Sequence, residues 1–301
     1  MRDKRCYLQC SIAIAFGALA FGSAQADTGK LRLTGGVNSI DGAAGGGLTP
    51  WAIIGTNATS GERGVSAFAT RVKPQDYGLN IFGIVAGFND RIEVSLARQE
   101  FDTGATGTAL GLPGLRLKQD IFGVKVKVAG DAVLNQDTWM PQIAAGLLYK
   151  DLDAGGLAPT LTALGAKDSG VDFYVSATKL FLAQSVLVNG TLRATKANQN
   201  GLLGFGGTAQ NSYRLQPEFS LAYLFRKDLA LGAEYRSKPD NLNPSILGAG
   251  LKENAWKDIF IAWAPTKNLS LTAAYVDLGR IVPAIQPRKQ TGWYLSGQIS
   301  F

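Results

Sequence analysis

The last ten residues, GWYLSGQISF, alternate without a break. Trp293, Leu295, Gly297, Ile299 and Phe301 fall on one face, while Tyr294, Ser296, Gln298 and Ser300 fall on the other. A period of two belongs to a β-strand with one apolar and one wet face. The pattern recurs. In RLQPEFSLAYLF, Phe219, Leu221, Tyr223 and Phe225 oppose Glu218, Ser220 and Ala222, and a turn at 226–228 leads into LALGAEYR. IFIAWA turns through 265–268 into LSLTAAYVD, and upstream come YGLNIFGIVAGF, RIEVSLARQ, IFGVKVKV, PQIAAGLLYK, GVDFYVSAT and SVLVNGTLRAT. Weaker strands are expected near residues 31–37, 51–56 and 65–72. The total is about fourteen, with twelve as the alternative, and the fold class is an all-β, antiparallel, up-and-down transmembrane barrel.

Loop lengths give the orientation. The turns at 89–90, 226–228 and 265–268 are short, whereas EFDTGATGTALGLPGLRLK, DLDAGGLAPTLTALGAKDSG, KANQNGLLGFGGTAQNS and SKPDNLNPSILGAGLKENA are long. AGDAVLNQDTWM is a longer connection on the short-turn side. Short periplasmic turns and long outer loops are the outer-membrane arrangement, and an even strand count leaves both termini in the periplasm. Outward Tyr223, Phe225, Trp263 and Phe301 then lie near one bilayer interface, and Tyr235, Tyr275 and Trp293 near the other.

The start of the chain fits export. Basic MRDKR, apolar SIAIAFGALAFG and the small-x-small site at Ala24 and Ala26 form a secretory signal over residues 1–26, with cleavage after Ala26. Residues 27–301 then form the barrel domain. Cys6 and Cys10 both lie in the signal, so the exported chain has no thiol chemistry. Removing Arg2, Lys4, Arg5 and Asp3 from 30 basic and 23 acidic residues leaves 27 and 22, a mild net +5 with no basic block for nucleic acid. Histidine is absent, which removes the usual base near neutral pH and argues against an enzyme. No catalytic residue, cofactor or metal site is expected. Asp151 and Asp153 in DLDAGG lack the third acid and closing Glu of a calcium loop.

The expected site is the lumen. Glu93, Lys125, Lys127, Asp172, Arg193, Glu218, Glu234, Arg236 and Asp258 fall on inward faces. A charge on a strand whose other face meets lipid must point into water or toward a partner. These residues therefore either line a solute path or fill the interior with their own salt-bridge network, the commoner arrangement for any single residue. Lys125 and Lys127 are the best lining candidates, since like charges on one face repel unless an anion lies across from them. The glycine-rich GAAGGGLTP lacks the Lys-Ser/Thr of a phosphate loop and is expected as a flexible loop or a segment folding into the barrel mouth. Only a few residues separate Asp27 from the first expected strand, so no plug domain is expected. Arg116, Lys118, Lys238, Lys252, Arg288 and Lys289 are loop cations that would contact lipopolysaccharide phosphates or stay solvated.

GKLRLTGGVNSIDGAAGGGLTPWAIIG, DRIEVSLARQEFDTG and LKQDIFGVKVKVAGDAVLNQDTWMPQIAAG resemble an uncharacterised family of proteobacterial exported proteins known only as a domain of unknown function. The resemblance runs from about residue 29 onward, and it implies an outer-membrane location but no activity or site residues. The final strand, with Trp293, Leu295, Ile299 and Phe301, resembles the targeting signal read by the barrel-assembly machinery. The expected function is passive passage of small solutes. Two alternatives stand beside it: a transporter of small hydrophobic compounds using LPGL, GLAPTLTALG and GLLGFGG, and a closed structural or adhesive barrel acting through its loops.

Overall fold

The computed structural model describes residues 30–33, 35, 37–246 and 248–301. The signal segment and its cleavage point after Ala26 lie outside them. Two short strands, β1 (Val37–Asn38) and β2 (Ala44–Gly45), pair with each other and, among the described residues, with no wall strand. Twelve longer ones follow: β3 (Arg63–Pro74), β4 (Gly78–Phe88), β5 (Ile92–Asp102), β6 (Arg116–Ala129), β7 (Gln142–Asp153), β8 (Ser169–Phe181), β9 (Val186–Thr195), β10 (Arg214–Arg226), β11 (Leu229–Arg236), β12 (Trp256–Trp263), β13 (Leu269–Asp277) and β14 (Thr291–Ser300).

Each of the twelve pairs antiparallel with the next, and β14 returns to β3 to close the ring. The closing ladder runs from Gly292 opposite Pro74 to Ser300 opposite Ser66. Phe301 and Val65 then exchange backbone hydrogen bonds of 2.7 and 3.0 Å. The terminal aromatic thus completes the seam. A closed ring leaves no strand edge unpaired, the condition for a sheet to stand in lipid.

Alternation sets the two surfaces. Outward side chains are apolar around the ring, among them Phe82, Phe122, Val175, Leu192, Phe219, Ile259 and Leu295. Tyr275 and Trp293 stand opposite each other on β13 and β14, with ring centroids 5.5 Å apart. The tight turn after β4 places Asn89 and Asp90 at positive φ, a region these two residue types tolerate.

Twelve strands, the lower of the two expected counts, replace about fourteen. Residues 65–72 do belong to the wall, in β3. Residues 31–37, as far as described, and 51–56 do not. Val37, Trp51, Ile53 and Ile54 are buried against the inside of the ring rather than paired into it, and Leu31 is exposed. The expectation of only a few residues ahead of the first strand, with no plug, is overturned by the same residues, and of the two readings of GAAGGGLTP the segment folding into the barrel holds. The first wall strand starts at Arg63, and the chain before it enters the lumen.

That segment, described at residues 35 and 37–58, forms a hairpin with its tip between β1 and β2. Val37, Ile40, Leu48, Trp51, Ile53 and Ile54 are all buried. It enters and leaves at the short-turn rim. There Lys30 pairs with Asp90 at 2.7 Å, and Arg32 donates to the Pro265 carbonyl at 3.1 Å. An eight-stranded barrel is just filled by its own side chains, whereas a twelve-stranded one is wider and needs more material inside. The glycine-rich stretch suits that task. A Cβ on Gly46 would lie 2.1 Å from the Glu234 carboxylate, so a side chain here would push that carboxylate from its place against the hairpin.

Candidate functional site

Backbone that forms no ladder must find hydrogen-bond partners elsewhere. Inside the barrel those partners are the inward side chains of the wall, which is why the wet faces are rich in Ser, Thr, Asn, Gln and charge.

Three groups of wall residues hold the hairpin. Nearest the short-turn rim, Glu93 on β5 and Lys125 on β6 are register partners joined at 2.9 Å. Glu93 accepts from the Ala44 and Gly55 amides at 3.0 and 2.7 Å, and Lys125 donates to the Ala44 and Ile53 carbonyls at 2.9 and 2.7 Å. One buried ion pair thereby ties both arms of the hairpin to the wall.

A second group receives residues 48–52. Glu234 accepts from the Leu48 amide at 2.7 Å and from the Thr49 and Ser220 hydroxyls at 2.6 and 2.8 Å. The Trp51 indole donates to Ser220 at 2.9 Å. The Pro50 carbonyl accepts from Thr191 at 2.8 Å and Ser176 at 3.2 Å, and Gln142 donates to the Ala52 carbonyl at 2.7 Å.

The third group lies toward the long-loop rim and gathers on Asp41. Its carboxylate meets Arg236 at 2.7 Å, Lys150 at 3.0 Å and Arg193 at 3.5 Å, and accepts from the Asn200 amide at 2.8 Å. Burial disfavours its charge, but Arg236, Lys150 and Arg193 outweigh that cost and hold the carboxyl below its usual range. Around this centre Arg193 forks onto Glu218 at 2.6 and 3.2 Å, Lys150 reaches Asp172 at 3.0 Å, and Arg236 reaches Glu218 at 3.4 Å. All of these side chains are nearly or fully buried.

Above the cluster the long loops close the barrel. Asn200 belongs to the loop between β9 and β10, and Gln199 and Asn200 stand at positive φ so that this loop turns inward. Leu157, Leu161, Leu164, Leu202, Leu203, Leu242, Leu251 and Ile281 are part of the continuous buried core. These apolar loop residues pack as a lid, beneath which a cavity of only about 20 Å³ is left between Leu202, Leu203, Trp256 and Ile281. Lys238 and Glu253 meet at 3.3 Å inside the lid, with Lys238 4.5 Å from the Trp256 ring. Burial pushes the Lys238 ammonium down to about 8 and the Glu253 carboxyl up.

The residues expected in the lumen separate accordingly. Asp172, Arg193, Glu218 and Arg236 meet in the Asp41 cluster; Glu93 and Lys125 form the clamp; Glu234 holds the central stretch. Asp258 is the register partner of Glu234 and is buried, and neither of its carboxylate oxygens has a hydrogen-bond partner among the described residues. Lys127 differs from Lys125. It pairs with Asp90 at the short-turn rim, so the two lysines avoid repulsion by taking separate carboxylates. Among the loop cations, Lys238 is drawn into the lid rather than solvated, whereas Arg288 is half-exposed and binds Asp76 at 2.5 Å.

Two charged members of the Asp41 cluster escape the reading from sequence, Lys150 and Asp41 itself. Lys150 lies on the inward face of β7 with Gln142, Ala144 and Leu148, so alternation through PQIAAGLLYK carries the signal. Asp41 is a lone acid inside a glycine-rich stretch with no periodicity of its own.

The matched family model, described as a protein of unknown function (DUF3034), spans residues 34–298, so it takes in the hairpin as well as the wall. The chain belongs to the DUF3034 family. No curated protein matches it. Solved structures similar to this DUF3034 chain include a KdgM porin in complex with disordered oligogalacturonate, at 11% identity and TM-score 0.49, covering 78% of this chain and 99% of that one. The NanC porin gives 8% and 0.49, covering 78% and 98%. Outer membrane phospholipase A from Escherichia coli gives 9% and 0.42, covering 78% and 92%. At such identities and scores these likenesses bear on neither solute nor activity of the DUF3034 barrel.

Proposed function

We propose that this protein is an outer-membrane channel for small polar solutes, closed at rest by its own N-terminal hairpin and by the lid of its long loops. In this reading the long-loop rim faces outward and the short-turn rim faces the periplasm. The observation that carries it is how the hairpin is attached. Residues 44–55 hang from wall side chains by hydrogen bonds, and among the described residues no barrel strand pairs with them. The hairpin can therefore leave while every wall ladder stays intact, and what it leaves is a polar passage with fixed charges of both signs.

The channel alternative for hydrophobic compounds finds less support, because the apolar loop residues pack on one another and leave little space. The test exploits the absence of cysteine after Cys10. Thr49 and Ser220 hydroxyls are 2.6 Å apart, so Thr49→Cys with Ser220→Cys places two thiols within bridging range. In planar bilayers the oxidised variant is expected to be silent, and the reduced variant and the parent chain to show conducting steps. A refolded, reduced barrel that remains silent, together with a silent variant lacking residues 35–58, would defeat the channel and favour a closed barrel that acts through its loops.

A further inference from the structure

The Asp41 cluster contains a binding site that the hairpin now fills with its own side chain. Four donors converge on that one carboxylate: Lys150 Nζ at 3.0 Å, Arg236 Nη1 at 2.7 Å, Arg193 Nη2 at 3.5 Å and Asn200 Nδ2 at 2.8 Å. None of the four comes from the hairpin. Three stand on β7, β9 and β11, and the fourth on the loop that closes the long-loop rim.

The charges around it define what would replace Asp41. Lys150, Arg193 and Arg236 carry three positive charges, and Asp172 and Glu218 supply two negative ones. Without Asp41 one positive charge is in excess, buried and aimed at one point. Such an excess is costly unless a monovalent anion enters. The planar guanidinium forks suit a carboxylate. The wall holds the donors in place, and the hairpin adds one backbone contact beside Asp41, the Leu48 carbonyl that accepts from Arg236 Nη1 at 2.9 Å. Glu218 fixes Arg193 in a two-pronged grip, and the Tyr174 and Trp256 rings lie 5.7 and 5.8 Å from the Arg193 and Arg236 guanidinium carbons. The site is pre-formed in the sense that removing the Asp41 side chain leaves the wall supports in place.

We propose that this cluster is the recognition site for the carboxylate of a small carboxylic acid, which is the solute class of the channel, and that Asp41 is an internal mimic of that carboxylate. The inference rests on the channel reading for its link to transport. The binding chemistry does not, because it belongs to the wall. A solute that has passed the lid at the long-loop rim meets Asn200 and the three cations next, and by displacing Asp41 it frees the tip of the hairpin. Occupancy and opening are thereby coupled through competition for four donors.

The experiment uses acetate as the carboxylate and chloride as the control anion at matched ionic strength. The refolded exported chain is compared with Asp41→Ala, which empties the site, and Asp41→Asn, which fills it without charge. The readout is the midpoint of the heat-induced loss of the folded barrel. At about 100 mM, acetate is expected to raise the midpoint of Asp41→Ala by about 3 °C over chloride. The parent chain and Asp41→Asn are expected to show no difference between the anions. Should Asp41→Ala refold poorly, the folded fraction recovered in acetate against chloride reads the same rescue. Equal behaviour of the two anions on Asp41→Ala overturns the proposal, as does an equal acetate gain in all three proteins. Because neither result depends on conductance, silence in a bilayer defeats the channel reading and leaves the site standing, while absence of rescue defeats the site and leaves the channel untouched.

Discussion

Strands β5 and β6 carry two ion pairs in register, one on each face of the sheet. Glu93 and Lys125 point into the lumen, and Arg98 and Asp120 point outward. The inner pair joins at 2.9 Å with side chains 1–2% exposed; the outer joins through two bonds of 2.6 Å with side chains 41% and 32% exposed. By geometry alone the outer pair is the better one, a fork onto both carboxylate oxygens. Yet among the described residues it makes no other hydrogen bond, and the inner pair also holds four backbone groups of the hairpin. The contrast teaches that ion pairs in this barrel differ by what they hold. An outward pair satisfies itself; an inward pair is the wall's half of a joint.

The largest effect should come from breaking the inner pair. Glu93→Ala leaves Lys125 buried without its carboxylate and strips the Ala44 and Gly55 amides of their acceptor. A loss of about 3–5 kcal/mol is expected, of the size seen when one partner of a buried pair is removed. Replacing both partners with neutral Gln and Met ordinarily recovers most of such a loss. Here it should not, because a methionine in place of Lys125 cannot donate to the Ala44 and Ile53 carbonyls. Urea unfolding of Glu93→Ala, Lys125→Met and the double Glu93→Gln, Lys125→Met variant checks this. Full recovery in the double variant would show that the pair serves only itself.

How much of this is legible in the sequence depends on which face is considered. The wall from β10 to β14 follows directly from alternation, because a lipid-facing row and a wet row must alternate in a tilted strand. Inward charges on those strands follow by parity. The hairpin is where the pattern misleads. Trp51, Ile53 and Ile54 are apolar because they pack against the inside of the wall, and periodicity records burial without saying against what. Asp41 is invisible for a related reason. Its role is fixed by Lys150, Arg193 and Arg236, which are far from it in the chain and converge only when the ring closes. The clamp is half legible: adjacent inward lysines at 125 and 127 signal a missing anion, but Glu93 and Asp90 supply it separately.

A third ion pair, Lys238 with Glu253 in the lid, sharpens the contrast because it is buried yet lies outside the strands. Its effect is expected to be intermediate and dependent on pH. The Lys238 ammonium titrates at about 8 in the folded chain against an ordinary 10.5. Between those values the unfolded chain binds a proton that the folded one does not, so this group makes stability rise with pH through that window and contributes no slope below it. Glu253 works in the other sense. Its raised pKa contributes stability present below its ordinary 4.5 and lost as pH rises. Between pH 8 and pH 10 the parent chain should therefore gain stability relative to Lys238→Met in urea unfolding. A difference that stays flat across that range would place Lys238 in contact with solvent.

The smallest effect belongs to the outer pair, and its smallness carries information. Arg98 and Asp120 share two short bonds, and counting bonds would rank them above Glu93 and Lys125. Exposure reverses the order. Side chains about a third exposed exchange solvent contacts for each other, and pairs of that kind contribute about 1 kcal/mol or less. Arg98→Ala should shift urea unfolding by no more than that and leave the conductance of the reduced Thr49→Cys, Ser220→Cys barrel unchanged, since no part of the hairpin touches the outer face. A loss matching that of Glu93→Ala would mean that the β5–β6 ladder itself, and not the joint with the hairpin, is what both pairs sustain. The inner charges would then be wall fasteners, and the argument that the hairpin can leave an intact barrel would lose its footing.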